Sequence, residues 1–528
     1  MSEQLSLLPG YLTAHLQLSL LALLLGTAMS MPLGIWITRR PSLTQGVLAS
    51  VGVIQTIPSL ALLALMVPAL AALGALTAPA LGIELRSIGF LPALIALTLY
   101  SMLPIVQTTV AGIEGVDPAL NEAARGVGMT DAQRLLRVEI PLALPVMVAG
   151  VRTATVWVVG TATLSTPVGA TSLGNYIFSG LQTRNLTAVL VGCVAAAGLA
   201  ILLDQIIRLL EAGVRRRRRG LLAVAGSVLA ALYLFAAGSF ALERAGDPVR
   251  RIAIGSKTFT EQYILSDFLS QWIERESGRP TRTVQSLGST VLFDALRTGD
   301  VDLYIDYSGT IWATILKREG LGRSRASVLR DVREALPAEH GIVVAAALGF
   351  ENTYALAMRA DRARELGVRS IHDLTRLAGS LEIGGDYEFF VRPEWRALVD
   401  TYGLRFRKQR SMDSSLMYQA AASGDVDVIS AFSTDGRIAA FELVLLEDDR
   451  GVIPPYDAIV LVGPRLAREE PGVVEVLGRL EGILDEAAMQ RLNLEVDEKG
   501  RATAEVAREL LERVSSEGGQ AQPSKATR

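Results

Sequence analysis

Glu122-Ala123-Ala124-Arg125-Gly126-Val127-Gly128 and, after nine further residues, Val138-Glu139-Ile140-Pro141 are the stretch on which the fold of this chain turns. Glu122 to Arg125 are helix formers, and Gly126 and Gly128 permit a tight turn. Met129 to Arg137 suit a second short helix, and Pro141 marks the return into an apolar segment. A short helix laid across such a boundary is a rigid knob that fits a cleft in another protein.

Outward from this stretch the first half is apolar. Runs at 16–38, 46–74, 89–111, 144–166, 187–210 and 220–242 are each long enough to cross a bilayer, for which roughly 20 residues are needed. The second run contains Pro58 and Pro68 and is expected to be kinked or broken. Basic residues set the orientation. Arg39-Arg40 follow span one, Arg125, Arg134 and Arg137 lie between spans three and four, and Arg215 to Arg219 lie between spans five and six. These are alternate loops, so one topology places all three in the cytoplasm, with the N-terminus and everything after residue 245 outside. The arginine run, flanked by apolar spans, reads as a topology anchor against anionic lipid.

The whole chain has 528 residues, 50% of them hydrophobic and 20% charged. Its mean hydropathy of +0.35 argues against disorder. Basic and acidic residues number 51 and 54, so nothing points to nucleic acid as a partner. The single Cys193 forms no intrachain disulfide and no thiolate cluster. His15, His340 and His372 stand singly, which argues against a zinc site or a histidine-driven hydrolase. No nucleophile–base pair supports a membrane enzyme, and no metal or cofactor is implied.

The pattern E-A-A, three residues, G, nine residues, I-x-L-P is that of the EAA loop of ABC-transporter permeases, which Glu122 to Pro141 resembles. Val138 and Ile140 are conservative departures. The resemblance implies that Glu122, Ala123, Ala124, Gly128 and Pro141 form the loop that couples to a separate cytoplasmic ATPase, and that two copies of the permease line one pathway. The chain holds no ATPase of its own. A phosphate-cradling loop needs G-x-x-x-x-G-K-[ST], and Gly255-Ser256-Lys257-Thr258 lacks both the Gly-Lys pair and the earlier glycine.

Residues 251–516 alternate short β-like and helical runs, the pattern of α/β domains. Strands are expected at 251–255, 281–286, 300–305, 354–358, 381–384, 426–430 and 458–462, and a helix from Thr260 to Glu274 with Thr260 as its cap. An internal echo stands out. Leu292 to Thr298 and Leu416 to Ser423 are helical, and each is followed by Gly-Asp-Val-Asp, at 299–302 and 424–427. Each glycine fits a helix C-cap. Tyr307 and Phe432 each lie five residues after the last aspartate, before Ser308-Gly309-Thr310 and Ser433-Thr434-Asp435-Gly436. In open α/β sheets ligands sit at the carboxyl ends of strands beside helix N-termini. Two facing lobes would therefore place one aromatic on each wall of a cleft, unless both rings are lobe core.

Here the resemblance is specific. Ile252-Ala253-Ile254-Gly255-Ser256-Lys257 with Thr260-Glu261-Gln262, Asp302 to Thr310, Gly349 to Tyr354, Ser433 to Arg437 and Pro454 to Asp457 look like the binding proteins of osmoprotectant (glycine betaine/carnitine/choline) importers. The whole is similar to fused permease and binding-protein forms of that family, including those assigned to ergothioneine. The implied architecture is a six-helix, all-α transmembrane permease of the type I importer kind over 1–245. An α/β two-lobed periplasmic-binding-protein fold follows over 250–516, and a disordered tail over 517–528.

The resemblance also implies an aromatic cage for a quaternary ammonium at Tyr307, Tyr354, Phe432 and Tyr456, with Gln262 and Thr310 holding a carboxylate. Phe432 departs from the family's usual tyrosine, which bears on the choice among betaines more than on the cage. The residue types suit the cargo. A trimethylammonium donates no N–H bond, and each ring face stabilises it by about 0.5 to 2 kcal/mol. Asp306 and Asp457 stand beside cage positions, as cation attractors or as caps, while Trp312, Trp395 and Tyr418 are expected to be core. The sequence thus points to a fused import subunit for a quaternary-ammonium solute. The alternatives are the same architecture carrying ergothioneine, or a receptor that senses the ligand without moving it.

Overall fold

A computed structural model describes residues 2–81, 85–183, 185–245, 250–318 and 323–518, which form two compact units. The first is helical. Among its described residues, five helices are long and apolar enough to span a membrane: Leu5–Thr38, Phe90–Glu114, Asp131–Val168, Leu186–Arg215 and Arg219–Leu242. The pair Pro41–Thr56 and Ser59–Gly74 makes a sixth if counted as one span, bent by 98°. That bend sits at the expected break. Ile57 is extended, as the residue before a proline prefers, and Pro58 has no N–H to continue the ladder. Pro68 lies inside the helix Ser59–Leu81 without ending it. The first helix starts at Ser2 rather than at 16. Its early turns are anchored by Tyr11, whose ring meets Tyr176 edge-on at 4.9 Å.

Close helix approach needs small residues, since lipid supplies no hydrophobic drive. A Cβ on Gly34 would come within 2.7 Å of the Thr109 Cβ, and one on Gly150 within 2.9 Å of the Pro104 carbonyl. Charge adds cross-links that the sequence reading did not identify. Arg152 donates to Asp204 at 2.7 Å and to Glu211 at 3.2 Å, tying Ile140–Ala162 to Leu186–Arg215. The five arginines 215–219 are all exposed, and Arg217 makes the turn with φ +50°.

The Glu122 stretch departs in part from expectation. Its helix runs Pro118–Gly126, capped by Asp117, so Gly126 is helical, and Gly128 alone takes the left-handed turn at φ +79°. Thr130 and Gln133 form a reciprocal capping box. The expected separate helix Met129–Arg137 is instead the first part of a continuous helix that passes Pro141. The reason is a π-turn over Leu135–Glu139, in which the Ile140 N–H reaches back to the Leu135 carbonyl and shifts the register just before the proline. Glu139 is buried there between Arg39 and Arg134.

Among its described residues the second unit carries ten strands: β1 Ile252–Gly255, β2 Thr281–Val284, β3 Leu303–Tyr307, β4 Val343–Glu351, β5 Tyr354–Arg359, β6 Glu382–Gly385, β7 Lys408–Ser411, β8 Val428–Phe432, β9 Leu443–Leu446 and β10 Asp457–Val462. They form two sheets ordered β2-β1-β3-β10-β4 and β7-β6-β8-β5-β9. In each, three parallel strands are followed by an antiparallel one. The chain crosses between sheets twice, from β4 to β5 through Asn352-Thr353 and from β9 to β10 through residues 447–456. Seven strands fall where the sequence places them; β4, β7 and β9 are additional.

The echo has a structural meaning in both lobes. Gly299 (φ +81°) and Gly424 (φ +79°) close their helices in the left-handed conformation. Asp302 then exchanges bonds with Ala253, its carboxylate accepting from the Ala253 N–H at 2.9 Å, and Asp427 does the same with Glu382 at 2.9 Å. Each aspartate clamps its strand to a parallel neighbour. Thr260 does not cap its helix: the N-cap is Phe259, and the Thr260 hydroxyl donates to Asp497 at 2.6 Å. Trp312, Trp395 and Tyr418 are buried, as expected. Helix Thr503–Gly518 runs past the expected start of the tail at 517. The rest of that tail, 519–528, and the interval 246–249 lie outside the described residues.

Candidate ligand-binding site

The two lobes of the second unit enclose a cleft of about 160 Å³. Strand chemistry brings the rings to it. Tyr307 ends β3 just before the helical turn Ser308–Thr310, Phe432 ends β8 with four residues between it and the helix Arg437–Ala440, and Tyr354 opens β5 in register with Phe432. Tyr456 immediately precedes β10. All four line the cleft. The Tyr354 ring centroid lies 4.9 Å from that of Phe432 and 5.9 Å from that of Tyr456, the latter edge-on at 75°. Phe259, which sequence reasoning missed, lies flat against Phe432 at 5.5 Å and 9°, and 6.2 Å from Tyr307. Its signal was its place just ahead of the helix that follows β1.

The hydroxyls of Tyr307 and Tyr456 are pinned from behind, that of Tyr456 by Glu394. Tyr307 donates to Glu261 at 2.5 Å and accepts from the Gln262 amide at 3.1 Å. Gln262 therefore stands in the row behind the cleft and is not among its lining residues; its carbonyl takes the Lys257 N–H at 3.4 Å. Glu261 also accepts from Asn352 at 3.0 Å, from Asn493 at 3.2 Å and from Thr434, so one buried carboxylate gathers donors from both lobes and a crossing. Burial pushes its pKa up, and the hydrogen bonds from Thr434, Tyr307, Asn493 and Asn352 work against that rise. Burial likewise raises Tyr307, Tyr354 and Tyr456 well above their ordinary value, keeping the rings neutral.

Thr310 does line the cleft, and its hydroxyl accepts from Arg392 at 3.3 Å. Arg392 is the principal residue that the sequence did not disclose. It is 6% exposed, donates to Glu394 at 3.1 Å and to the Tyr456 hydroxyl at 3.4 Å, and stands 5.0 Å over the Tyr354 ring. Its Nε has no hydrogen-bond partner among the described residues. Burial opposes its charge, and Tyr456, Tyr354 and Glu394 restore it, leaving the guanidinium above its ordinary range. Lys257 also faces the cleft, with Nζ on Asp306 at 2.5 Å and 5.5 Å from the Tyr307 ring. Asp306 is held further by the Tyr304 hydroxyl at 2.7 Å and the Tyr307 N–H at 2.8 Å, and Asp457 by Arg325 at 2.5 Å. Both acids are thus engaged by neighbours.

Chemically, the cleft offers neutral ring faces for a diffuse cation, and beside them a buried guanidinium, a hydroxyl and an ammonium suited to a carboxylate. Among the described residues no cluster of three or more His, Cys, Asp or Glu could hold a metal ion.

The family described as the substrate-binding domain of ABC-type glycine betaine transport systems matches residues 250–513, and the binding-protein-dependent transport system inner membrane component matches residues 30–216. The ergothioneine transport permease/ergothioneine binding protein EgtU of Helicobacter pylori is 29% identical over 479 residues, 88% of this chain and 82% of its own. The glycine betaine/carnitine/choline permease OpuCB of Bacillus subtilis is 39% identical over 37% of this chain and 83% of its own length. The carnitine transport binding protein OpuCC of Listeria monocytogenes is 31% identical over 50% of this chain and 86% of its own. The chain belongs to the glycine betaine-type family of binding-protein-dependent ABC importers, as a membrane protein that joins permease and substrate-binding domain in one polypeptide.

Proposed function

We propose that this chain captures a quaternary-ammonium solute in the ring-lined cleft and passes it through its own helical unit, using ATP hydrolysed by a separate cytoplasmic subunit. In this reading Tyr307, Tyr354, Phe432 and Tyr456, with Phe259, surround the methylated nitrogen. Arg392, Lys257 and Thr310 take the carboxylate, and Gln262 supports Tyr307 from behind. The observation that carries the reading is the convergence of those rings with a buried arginine on one cleft. Several rings together can offset the dehydration of a methylated cation that no hydrogen bond would satisfy.

The permease half spans residues 1–245 and the binding half 250–516, with the binding half outside the cell. The exposed arginines 215–219 support that orientation. Glu122, Ala123, Ala124, Gly128 and Pro141 belong to the surface that meets the ATPase. Around them Leu120, Val127 and Leu136 are 47%, 75% and 65% exposed, apolar residues for a partner to cover. Two copies of the chain form the pathway.

The cargo is glycine betaine, choline, carnitine or a related solute. Ergothioneine, itself a betaine, is favoured specifically by the relative that shares the fused arrangement along most of its length. Calorimetric titration of the full chain in detergent with these four solutes tests the reading. At least one should bind, and Tyr354→Ala should weaken it tenfold or more, about 1.4 kcal/mol per decade. Unchanged affinity in the variant, or no binding by any of the four, would refute it.

A further inference from the structure

The cleft has a third chemical end that neither the rings nor Arg392 uses. Asp386 follows β6 directly, lines the cleft and is 7% exposed. Its Oδ1 accepts from the backbone N–H of Glu388 at 2.8 Å and of Phe389 at 3.0 Å, which fixes the carboxylate in place. Its Oδ2 is buried with no hydrogen-bond partner among the described residues, and no arginine or lysine pairs with it there. Arg392 and Glu388 both act on it electrostatically, and its own charge reaches Tyr354. A buried acceptor is costly when left unmade.

We infer that Asp386 is a specificity-determining residue that selects, among methylated-ammonium carboxylates, those bearing a further N–H or O–H donor; this rests on the functional reading above. Glycine betaine offers a methylated cation and a carboxylate but no donor, so it leaves Oδ2 unsatisfied once water is displaced. A hydroxylated betaine, or one whose ring carries an N–H, makes the third contact. The free edge of Arg392 at Nε and the free oxygen of Asp386 in the same cleft fit a ligand with three points of recognition. A site built to bond a donor rejects the analogue that lacks it more strongly than an apolar pocket rejects a missing methylene.

The test is calorimetry on the full-length chain in detergent with glycine betaine, carnitine, ergothioneine and choline, for the wild type and Asp386→Asn. The asparagine keeps Oδ1 for the Glu388 and Phe389 amides and turns the other position into a donor. The wild type should bind carnitine or ergothioneine at least about tenfold more tightly than glycine betaine. Asp386→Asn should erase that preference by weakening the donor-bearing ligand while leaving glycine betaine nearly unchanged. Equal or tighter binding of glycine betaine by the wild type overturns the inference, as does an equal loss for every ligand in the variant. If the variant does not fold, the wild-type ranking decides alone. Absence of binding by all four solutes overturns the functional reading and this inference with it, whereas binding in the reverse order overturns only this inference.

Discussion

The two units put their buried charge to different uses. In the helical unit the buried Glu139 lies between Arg39 and Arg134, and the half-buried Asp204 and Glu211 share Arg152, so these acids tie one helix to another. In the second unit Arg392 and Asp386 are comparably buried and, like Arg134 in the helical unit, each keeps one polar atom without a partner among the described residues, but theirs are on residues that line the cleft. Pairing inside an apolar helical bundle neutralises charge that lipid cannot solvate. Holding an atom back in a cleft reserves it for a ligand. The contrast separates residues that weld the protein from residues that recognise its cargo, although both kinds are charged and at least partly withdrawn from solvent.

The contrast can be broken from either side. The largest effect is expected from Glu139→Ala, which removes the buried partner of Arg134, leaving it only the exposed Asp131, and should cost about 3 kcal/mol of stability. The apparent unfolding temperature in detergent should drop while ligand affinity stays intact; lost affinity at unchanged stability would mean that the helical pairs serve recognition. Next comes Arg392→Lys, which keeps the charge but loses the planar fork. Carboxylate-bearing solutes should bind about tenfold more weakly, with choline little changed. A uniform loss across all solutes, measured by calorimetry, would place Arg392 among the welds.

The smallest effect concerns Asp497, a buried acid that does have partners. Burial pushes its pKa from 3.8 up to about 7, against the pull of Arg437 and the Thr260 hydroxyl, with Asp435 and Glu498 adding to the rise. The folded chain therefore holds this proton more firmly than the unfolded one. Its contribution to stability is present at acid pH and is lost as pH rises from the ordinary carboxylate range through about 7. Asp497→Asn should flatten the decline in melting temperature over that window, and an unaltered slope would assign the decline to other groups.

Local chemistry was legible in the sequence where it repeats. The twin Gly-Asp-Val-Asp runs place Tyr307 and Phe432 at equivalent strand ends, and Pro58 marks the bend between two membrane helices. What stayed hidden depends on distant convergence. Arg392 meets Thr310 and Tyr456 only once the lobes fold together, and nothing near it in sequence announces an anion site. Thr260 looked like a cap because its competitor, Asp497, lies far along the chain. Strand β7, Lys408-Gln409-Arg410-Ser411, is exposed throughout and has no apolar alternation to reveal it. At Pro141 the π-turn over Leu135–Glu139 absorbed a break that the proline alone would suggest.

A liganded structure of the full chain tests the account most directly. The methylated nitrogen should lie within about 6 Å of the ring centroids of Tyr307, Tyr354, Phe432 and Tyr456, with the carboxylate on Arg392. A solute bound elsewhere, with those four rings turned away from it, would contradict the account.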